Sequence, residues 1–313
     1  MKYGEIAGVD KPVSRLIQGT TVLGGEPETH FELLDAIFEA GCTAFDTAHV
    51  YGGGRSERAL GRWIAARDVR EKVVIVDKGC HHSRERKRVT PEDIAADLAD
   101  NLDRLETDYV DLWLFHRDDP DVPVGPLVDA LNEHLAAGRI RAFGGSNWTH
   151  ERIAEANAYA EARGLTGFAA SSPNLSLAVP REMPWEGCLS ISGPDAADAR
   201  AWYERTQMPL LSWSSLAGGF LTGRYRRDNL DGLTGGADDL IKRCYCTEAN
   251  FRRLEQAERV AADLGVGVVQ VALAWLFSRP LNAFALTACV SGEEFRANLA
   301  ALDLDLSAGA LPD

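Results

Sequence analysis

Four ionisable side chains of this chain end, or directly follow, apolar segments, and their types suit proton transfer. Asp46 closes one such segment and is followed after a short turn by Tyr51. Lys78 ends the run 73–78 and His116 ends the run 110–116. Apolar runs that each end in one ionisable group, separated by helical patterns, are typical of parallel strands that present side chains at their C-terminal ends. We therefore predict that these four residues meet and form a proton-donating site.

The elements that must position these residues alternate regularly along the chain. Strand candidates end near Thr20, Thr47, Lys78, His116, Asn147, Asn174, Ser215 and Cys289. Helix candidates cover 30–40, 56–66, 91–105, 124–137, 150–163, 196–206, 267–277 and 293–301, with one extra helix at 248–264. Eight strand–helix units predict an α/β fold, a (β/α)8 TIM barrel in a single domain over 1–313. An open doubly wound sheet is disfavoured because no Gly-x-Gly-x-x-Gly turn follows the first strand.

Three local features complete the predicted fold. Residues 1–13 are expected to form a short hairpin or strand that plugs the bottom of the barrel. Extended loops follow strand six (177–193) and strand seven (218–250), and the second has no obvious structure, which is typical of a lid or a partly disordered segment. Ser56 is predicted as the N-cap of the second helix, and Thr90, followed by Pro91, as the N-cap of the third.

Several motifs give this chain a family resemblance. Residues 41–48 (GCTAFDTA) precede Tyr51-Gly52 and Ser56-Glu57, and residues 110–112 (VDL) precede Phe115-His116. Residues 138–141 (GRIR) precede 145–147 (GSN), and 214–216 (SSL) precede 219–223 (GFLTG). From about residue 17 to 302 the sequence resembles the aldo-keto reductase family. The resemblance implies a nicotinamide-dependent oxidoreductase that interconverts a carbonyl and an alcohol, with small-molecule substrates.

The four residues match the chemistry that the resemblance implies. A free tyrosine has a pKa of about 10, and a nearby ammonium lowers it toward a useful range. Lys78 is the candidate ammonium, held by Asp46, and Tyr51 is the candidate proton donor. His116 is expected to polarise the carbonyl and orient the substrate. Each residue taken alone also suits a structural role: a turn cap, a surface aromatic, a lysine extending to solvent and a core imidazole.

The resemblance also implies where the cofactor binds. Ser146 and Asn147 would bind the nicotinamide carboxamide, Trp213 would stack on the ring, and Ser172 stands where the family has glutamine. Asn298 is expected to face the adenine. The remaining implied cofactor residues are Gly19, Thr20, Asp46, Ser214, Leu216, Gly218, Ser291 and Glu294. Arg224, Arg226 and Arg227 in the second long loop would either clasp the pyrophosphate or remain solvated.

The choice between NAD(H) and NADP(H) depends on the last barrel helix. The family usually places Lys or Arg there for the 2′-phosphate, whereas this chain has Ser291, Glu293 and Glu294. Carboxylates repel a phosphate and accept from a ribose hydroxyl, which favours NAD(H) slightly. The alternative is that both acidic residues only complement the helix dipole.

Composition excludes some partner classes and leaves others open. The chain has 313 residues and a formal net charge of −14, which disfavours nucleic acid and anionic membranes. No signal peptide or transmembrane run is found, and the six cysteines are scattered, which favours reduced thiols in a cytoplasmic protein. Neither composition nor motif indicates the oligomeric state.

Weaker signals concern the substrate and a metal. Trp148, Trp185 and Tyr225 fall in loops after strands and would form an aromatic wall for a sugar, with Asp118 and Asp119 binding its hydroxyls; the alternative is that the aromatics are core and the aspartates cap a loop. Cys80-His81-His82 contains metal-ligand types, but no distant pair completes a tetrahedral site, so we predict no metal. Cys244-x-Cys246 is interpreted as two ordinary thiols.

Two alternatives to a simple oxidoreductase remain at this stage. A nicotinamide-binding regulatory subunit would keep the barrel and act through a partner. A redox-neutral epimerase or isomerase would hold its nicotinamide tightly. The complete set of four residues argues against the first alternative.

Overall fold

The structure is a computed structural model that describes residues 1–306 and 311–312. Its strands are β1 (Tyr3–Gly4), β2 (Val13–Ser14), β3 (Leu16–Gly19), β4 (Ala44–Asp46), β5 (Val74–Gly79), β6 (Val110–Phe115), β7 (Ile140–Ser146), β8 (Ala170–Ser172), β9 (Leu210–Ser212) and β10 (Ala283–Thr287). Its α-helices are α1 (Phe31–Glu39), α2 (Arg55–Arg67), α3 (Pro91–Leu105), α4 (Val124–Ala136), α5 (His150–Arg163), α6 (Ala197–Thr206), α7 (Gly236–Tyr245), α8 (Glu248–Leu264), α9 (Val268–Phe277) and α10 (Gly292–Asn298).

Strands β3 to β10 close into an eight-stranded barrel in the order β10-β3-β4-β5-β6-β7-β8-β9, with parallel pairing wherever the register is defined. Every residue of β5 and β6 is buried. Strands covered on both faces read as continuous apolar runs, because neither face can carry solvated side chains. The predicted (β/α)8 barrel is confirmed.

The N-terminal hairpin closes the end of the barrel where the strands begin. β1 pairs with β2 in antiparallel register. Lys11 donates from Nζ to the Val73 carbonyl oxygen (3.0 Å), directly before β5. A Cβ atom on Gly8 would lie 2.6 Å from the Arg141 carbonyl oxygen in β7, so only glycine permits this approach. The predicted plug is therefore confirmed.

The helix starts agree with the sequence signals in one case and differ in another. Thr90 caps α3 by accepting from the Asp93 N–H, with Pro91 at the first position, as predicted. The N-cap of α2 is Gly54 rather than Ser56, so that prediction was wrong. Ser56 lies inside the helix, where its hydroxyl donates to the Leu23 carbonyl oxygen (3.4 Å). A tertiary partner therefore uses the hydroxyl that was expected to cap.

The long loop after the seventh barrel strand is more ordered than its composition suggested. It contains the 3-10 segments Ala217–Thr222 and Leu230–Gly232 and the ten-residue helix α7. Ile241, Cys244 and Tyr245 are buried on α7. Their spacing of three and four residues forms one apolar helix face, a signal hidden by the surrounding glycines and charges. The loop therefore contains regular structure that was not obvious from the sequence, and its role as a lid stays a prediction.

The described residues group into two compact units. The first comprises residues 1–172 and 288–295, and the second comprises 173–287 together with the described residues from 296 onward. The single domain over 1–313 stays a prediction. Within the part of the chain covered by the structure, no helix alone combines the length and apolar character needed to span a bilayer; α8 and α9 meet that criterion only jointly, across a bend of 101°.

Candidate active site

Asp46 and Lys78 form a buried ion pair at the C-terminal ends of β4 and β5. Asp46 pairs in register with Val76, and Lys78 lies two residues further along β5. Side chains two residues apart in a strand share a face, so the register places both groups on the same side of the sheet. The Lys78 Nζ donates to Asp46 Oδ1 (2.6 Å) and to the Thr47 carbonyl oxygen (2.8 Å).

Tyr51 reaches this pair on a tight turn. The Tyr51 ring centroid lies 5.1 Å from the Lys78 Nζ. Gly52, Gly53 and Gly54 follow with φ angles of 59°, 65° and 88°, a left-handed run that side chains would strain. These glycines therefore serve the turn that carries Tyr51, and His49 fixes its start by donating its N–H to the Lys78 carbonyl oxygen (2.9 Å).

The electrostatics of Tyr51 differ from the sequence-based expectation. Burial raises the pKa of Tyr51 and outweighs the lowering effect of Lys78, so the net shift is upward. The prediction that the pKa of Tyr51 is lowered was wrong, because burial destabilises the phenolate more than the charge of Lys78 stabilises it. Burial alone would lower the pKa of Lys78, but Asp46 and Tyr51 raise it overall. Burial also raises the pKa of Asp46, against the attraction of Lys78.

His116 lies beside Tyr51 as a buried imidazole. The two ring centroids are 5.7 Å apart at 83°, in an edge-to-face contact. Burial, followed by the positive charges of Lys78 and Arg117, holds the pKa of His116 well below its usual value. The ring is therefore neutral near pH 7. The first unit thus brings together all four residues that were predicted to be catalytic.

The residues predicted for the nicotinamide carboxamide also meet within the first unit. The Ser146 hydroxyl donates to the Ser172 carbonyl oxygen (2.9 Å). The Asn147 side-chain amide donates to Ser146 Oγ and to the His116 carbonyl oxygen, both at 3.1 Å. Asn147 has φ = 62°, a left-handed conformation that asparagine tolerates better than most residues. This network connects the ends of β7 and β8 to His116.

Gly19 and Thr20 follow β3 beside Asp46. The Thr20 N–H donates to the Asp46 carbonyl oxygen (2.9 Å). The Thr20 hydroxyl is buried and has no hydrogen-bond partner among the described residues. Buried hydroxyls are normally satisfied, so this one indicates a position where a bound group supplies the partner.

Ser291 and Glu294 lie at the start of α10. The Glu294 N–H donates to Ser291 Oγ (3.1 Å), and the Val290 N–H donates to Glu294 Oε2 (3.0 Å). This pattern is similar to a capping box, in which the two side chains satisfy backbone donors at the helix start. The alternative role given to the acidic residues, support of the helix terminus, therefore has direct structural support for Glu294.

The second unit contains the remaining predicted cofactor residues. Trp213 and Trp185 have ring centroids 6.5 Å apart, and Trp185 is 54% exposed. Ser214 and Gly218 both have positive φ, and a Cβ on Gly218 would lie 2.3 Å from the Ile241 Cδ1. Leu216 precedes the 3-10 segment Ala217–Thr222, and Asn298 is buried at the end of α10. The contacts of these residues with a dinucleotide stay a prediction.

Two of the weaker substrate predictions fall in packed positions. Trp148 is fully buried; it stacks on Phe115 at 5.0 Å and donates from Nε1 to the Arg117 carbonyl oxygen (3.2 Å). This burial matches the alternative that Trp148 is a core residue, and its substrate role stays a prediction. Asp118 pairs with Arg152 at 3.3 Å, a structural contact different from the loop capping given as the alternative.

Other predicted surface groups are also engaged in structural contacts. Tyr225 is buried, and its hydroxyl donates to Asp238 Oδ1 (2.9 Å), which matches the alternative that it is a core residue. Arg224 pairs with that same carboxylate (2.7 Å). Arg226 pairs with Glu258, and Arg227 pairs with Glu248 and Glu255. In this conformation, therefore, none of the three arginines is simply solvated, and each already has a carboxylate partner.

Cysteine and histidine groups form no metal cluster in the described parts of the chain. His81 Nδ1 lies 2.8 Å from the His82 carbonyl oxygen, and His82 Nε2 lies 3.1 Å from the Asp118 carbonyl oxygen. Cys244 and Cys246 are free thiols. The cytoplasmic location stays a prediction.

Sequence reasoning missed three groups beside the four central residues. His81 was considered only as a metal ligand, yet its ring centroid lies 4.8 Å from that of His116. Arg117 is buried, and its positive charge acts on both Tyr51 and His116. Asp77 lies on the opposite face of β5, where burial, followed by Glu57, raises its pKa well above the usual value. The sequence signal that could have identified these three residues is that each lies within three positions of Lys78 or His116.

Comparison with known proteins agrees with this geometry. A model of the Aldo/keto reductase family matches residues 15–311. The chain belongs to the aldo-keto reductase family. It is an aldo-keto reductase-type oxidoreductase, and the resemblance seen in the sequence motifs is confirmed.

Matches to individual proteins cover almost the whole chain. An uncharacterized oxidoreductase of Mycobacterium tuberculosis is 31% identical over 327 residues, covering 98% of this chain and 90% of that protein. A probable voltage-gated potassium channel subunit beta of rice (Oryza sativa subsp. japonica) is 29% identical over 316 residues, covering 97% and 92%. The crystal structure of an aldo-keto reductase from Klebsiella pneumoniae, in complex with NADPH, has a TM-score of 0.71 and 24% identity, covering 98% and 92%.

Proposed function

We propose that this aldo-keto reductase interconverts a carbonyl compound and an alcohol with NAD(P)(H), using Asp46, Tyr51, Lys78 and His116 as catalytic residues. One observation carries the proposal: the buried Lys78 ammonium, 2.6 Å from Asp46, lies under the ring of Tyr51. A buried lysine paired in this way remains charged and faces a phenol. This arrangement suits proton transfer better than a structural role, because the pair lies at the end of the barrel strands where catalytic groups collect.

Each residue has a distinct role in the proposal. Tyr51 stays protonated near pH 7, because its pKa is raised, and donates its proton to the carbonyl oxygen during reduction. Lys78 stabilises the tyrosinate left behind, which limits the cost of that transfer. Asp46 keeps Lys78 charged and in position. Neutral His116 donates a hydrogen bond to the same carbonyl oxygen and orients the substrate.

The residues present fit a nicotinamide dinucleotide, which when bound supplies or accepts the hydride that no side chain can provide. The unpartnered Thr20 hydroxyl provides a partner for a ribose hydroxyl. Asn147 and Ser146 lie in one hydrogen-bond network beside His116, where a carboxamide would be held. Within the second unit, Trp213 is an aromatic side chain of the type that stacks on a nicotinamide ring, and the exposed Trp185 lies beside it.

Opposing observations bear on the choice of dinucleotide. Glu293 and Glu294 disfavour a 2′-phosphate by charge repulsion, which supported a slight preference for NAD(H). Glu294 already serves the start of α10, and the structural neighbour from Klebsiella pneumoniae was solved with NADPH. The proposal therefore includes both dinucleotides and no longer prefers NAD(H).

The decisive experiment is Tyr51→Phe, assayed for both turnover and cofactor binding. We expect turnover of a responsive aldehyde to fall by about 10²–10⁴-fold, the usual contribution of a general acid. Quenching of tryptophan fluorescence during titration with NADH and NADPH should remain, since the phenylalanine ring preserves the packing. The same titration of the unchanged protein measures which dinucleotide it prefers. Full turnover by Tyr51→Phe would remove Tyr51 as the proton donor.

A regulatory role is a second candidate, and it rests on the similarity to the rice channel subunit. In that case the barrel would bind the dinucleotide and act through a partner. A panel of aldehydes, ketones and sugars that produces no oxidation of NADH or NADPH, despite tight cofactor binding, would favour this candidate. Turnover that depends on Tyr51 would favour the enzyme.

A further inference from the structure

A strained turn after β5 holds His81 against the catalytic cluster. Cys80 has φ = 60°, a left-handed conformation that is unfavourable for a residue with a side chain. The Cys80 N–H donates to Asp97 Oδ2 (2.8 Å), and Asp97 is held in turn by Arg88 (2.5 Å). Non-glycine residues keep such a conformation only where the surroundings enforce it, and such sites cluster where function requires them. The result of this turn is the 4.8 Å contact between the rings of His81 and His116.

The hydrogen bonds of His81 determine which of its nitrogens carries the proton. His81 Nδ1 lies 2.8 Å from the His82 carbonyl oxygen. A carbonyl oxygen only accepts, so Nδ1 must be the donor and Nε2 of the neutral ring must be the acceptor. Burial, opposed by the bond to His82 and reinforced by Arg117, lowers the pKa of His81, so the ring is neutral near pH 7. His81 is only half-buried, which leaves the ring partly accessible to a ligand.

His116 presents the complementary hydrogen-bonding group. Its Nδ1 is buried without a partner among the described residues. An unsatisfied buried N–H is rarer than an unsatisfied acceptor, which places the proton of neutral His116 on Nε2. His116 therefore acts as a donor and His81 as an acceptor, on two rings in contact. The carbonyl oxygen of a substrate needs a donor such as His116, and a hydroxyl next to that carbonyl needs an acceptor such as His81.

We propose that His81 is a substrate-binding residue whose Nε2 accepts a hydrogen bond from a hydroxyl on the carbon adjacent to the carbonyl. The preferred substrates are then α-hydroxy aldehydes and α-hydroxy ketones in reduction, and 1,2-diols in oxidation. This inference rests on the proposed function and narrows its substrate class. The two rings in edge-to-face contact would bind neighbouring groups of one small molecule. His116 would bind the carbonyl oxygen, and His81 would bind the hydroxyl.

The test compares two ketones of nearly equal shape, hydroxyacetone and 2-butanone, which differ by a hydroxyl in place of a methyl group. Initial rates of NADH and NADPH oxidation give kcat/KM for both ketones in the unchanged enzyme and in His81→Phe, His81→Asn and His82→Phe. We expect the unchanged enzyme to prefer hydroxyacetone by about tenfold, the size of one partly exposed hydrogen bond. His81→Phe should abolish this preference by lowering kcat/KM for hydroxyacetone more than for 2-butanone, while His81→Asn, which retains an acceptor, should keep part of it. His82→Phe should keep the full preference.

Two results would overturn the inference while leaving the proposed function intact. The first is equal kcat/KM for the two ketones in the unchanged enzyme. The second is an undiminished preference in His81→Phe, confirmed as folded by its thermal unfolding midpoint. If instead the enzyme oxidised neither cofactor with any carbonyl, the proposed function would fail and the inference with it. Reduction of 2-butanone that depends on Tyr51 separates the two kinds of failure.

Discussion

The buried pair of Asp46 and Lys78 should show strong thermodynamic coupling. Each side chain is about 2–3% exposed, and the two are joined by a 2.6 Å contact. Removing one partner of such a pair leaves an uncompensated buried charge, which typically costs about 3–5 kcal/mol. We expect Asp46→Asn and Lys78→Met each to lower the free energy of unfolding by about that amount. Removing both should cost far less than the sum, because no charge is then left buried.

The assay is a double-mutant cycle measured by urea unfolding at pH 7 and 25 °C. Additive costs would total about 6–10 kcal/mol, which approaches the whole stability of a typical domain. We expect a coupling energy of about 2–3 kcal/mol, at the upper end of the range for residues in contact. Equal m-values across the variants would show that the unfolded state is unchanged. Additivity within about 0.5 kcal/mol would refute the claim that the pair acts as one unit.

The same variants make a prediction about pH with a defined sign. In the unchanged protein the pKa of Lys78 is raised, so its contribution to stability is complete below the unfolded pKa of about 10.4 and is lost as pH rises through the folded value. In Asp46→Asn, burial is no longer opposed by that carboxylate, so the pKa of Lys78 should fall. The stability of this variant should then rise with pH above neutrality. A flat profile between pH 7 and 9 would contradict this reasoning.

Two further predictions concern His116 and the barrel wall. Because the pKa of His116 is well below its usual value, the folded state binds fewer protons than the unfolded state, and the free energy of unfolding should fall as pH drops below about 6.5, by up to about 1.4 kcal/mol per pH unit. His116→Phe should remove this part of the pH dependence, as measured by urea unfolding at several pH values. An unchanged pH dependence in His116→Phe would contradict the reasoning. A Cβ on Gly144 would lie 2.1 Å from the Ala170 carbonyl oxygen, so Gly144→Ala should cost at least about 1–3 kcal/mol. In the control Gly232→Ala no atom lies within 4 Å of the added carbon, so the free energy of unfolding should change by less than about 0.5 kcal/mol. Thermal melts of both variants measure the two effects, and equal effects would contradict the steric argument.

Much of the fold was determined by local sequence patterns. The β-branched run before Lys78 favours a strand buried on both faces, and Thr90-Pro91 marks a helix start by its own hydrogen-bonding and φ preferences. Strands and helices that alternate eight times leave few ways to bury every apolar face. The order Asp46, Tyr51, Lys78, His116 along those strands was enough to predict a shared site, because parallel strands end at the same side of the barrel.

Tertiary structure alone decided the properties that depend on burial and on distant partners. Desolvation reversed the expected shift of the pKa of Tyr51, and no local pattern reports how deeply a phenol lies. Trp148 and Tyr225 became core residues because their polar atoms found partners across the fold. His81 reached His116 through a backbone conformation at Cys80 that Asp97 enforces from α3. Sequence sets which groups are available, whereas dielectric environment and hydrogen-bond partners arise only when distant segments meet.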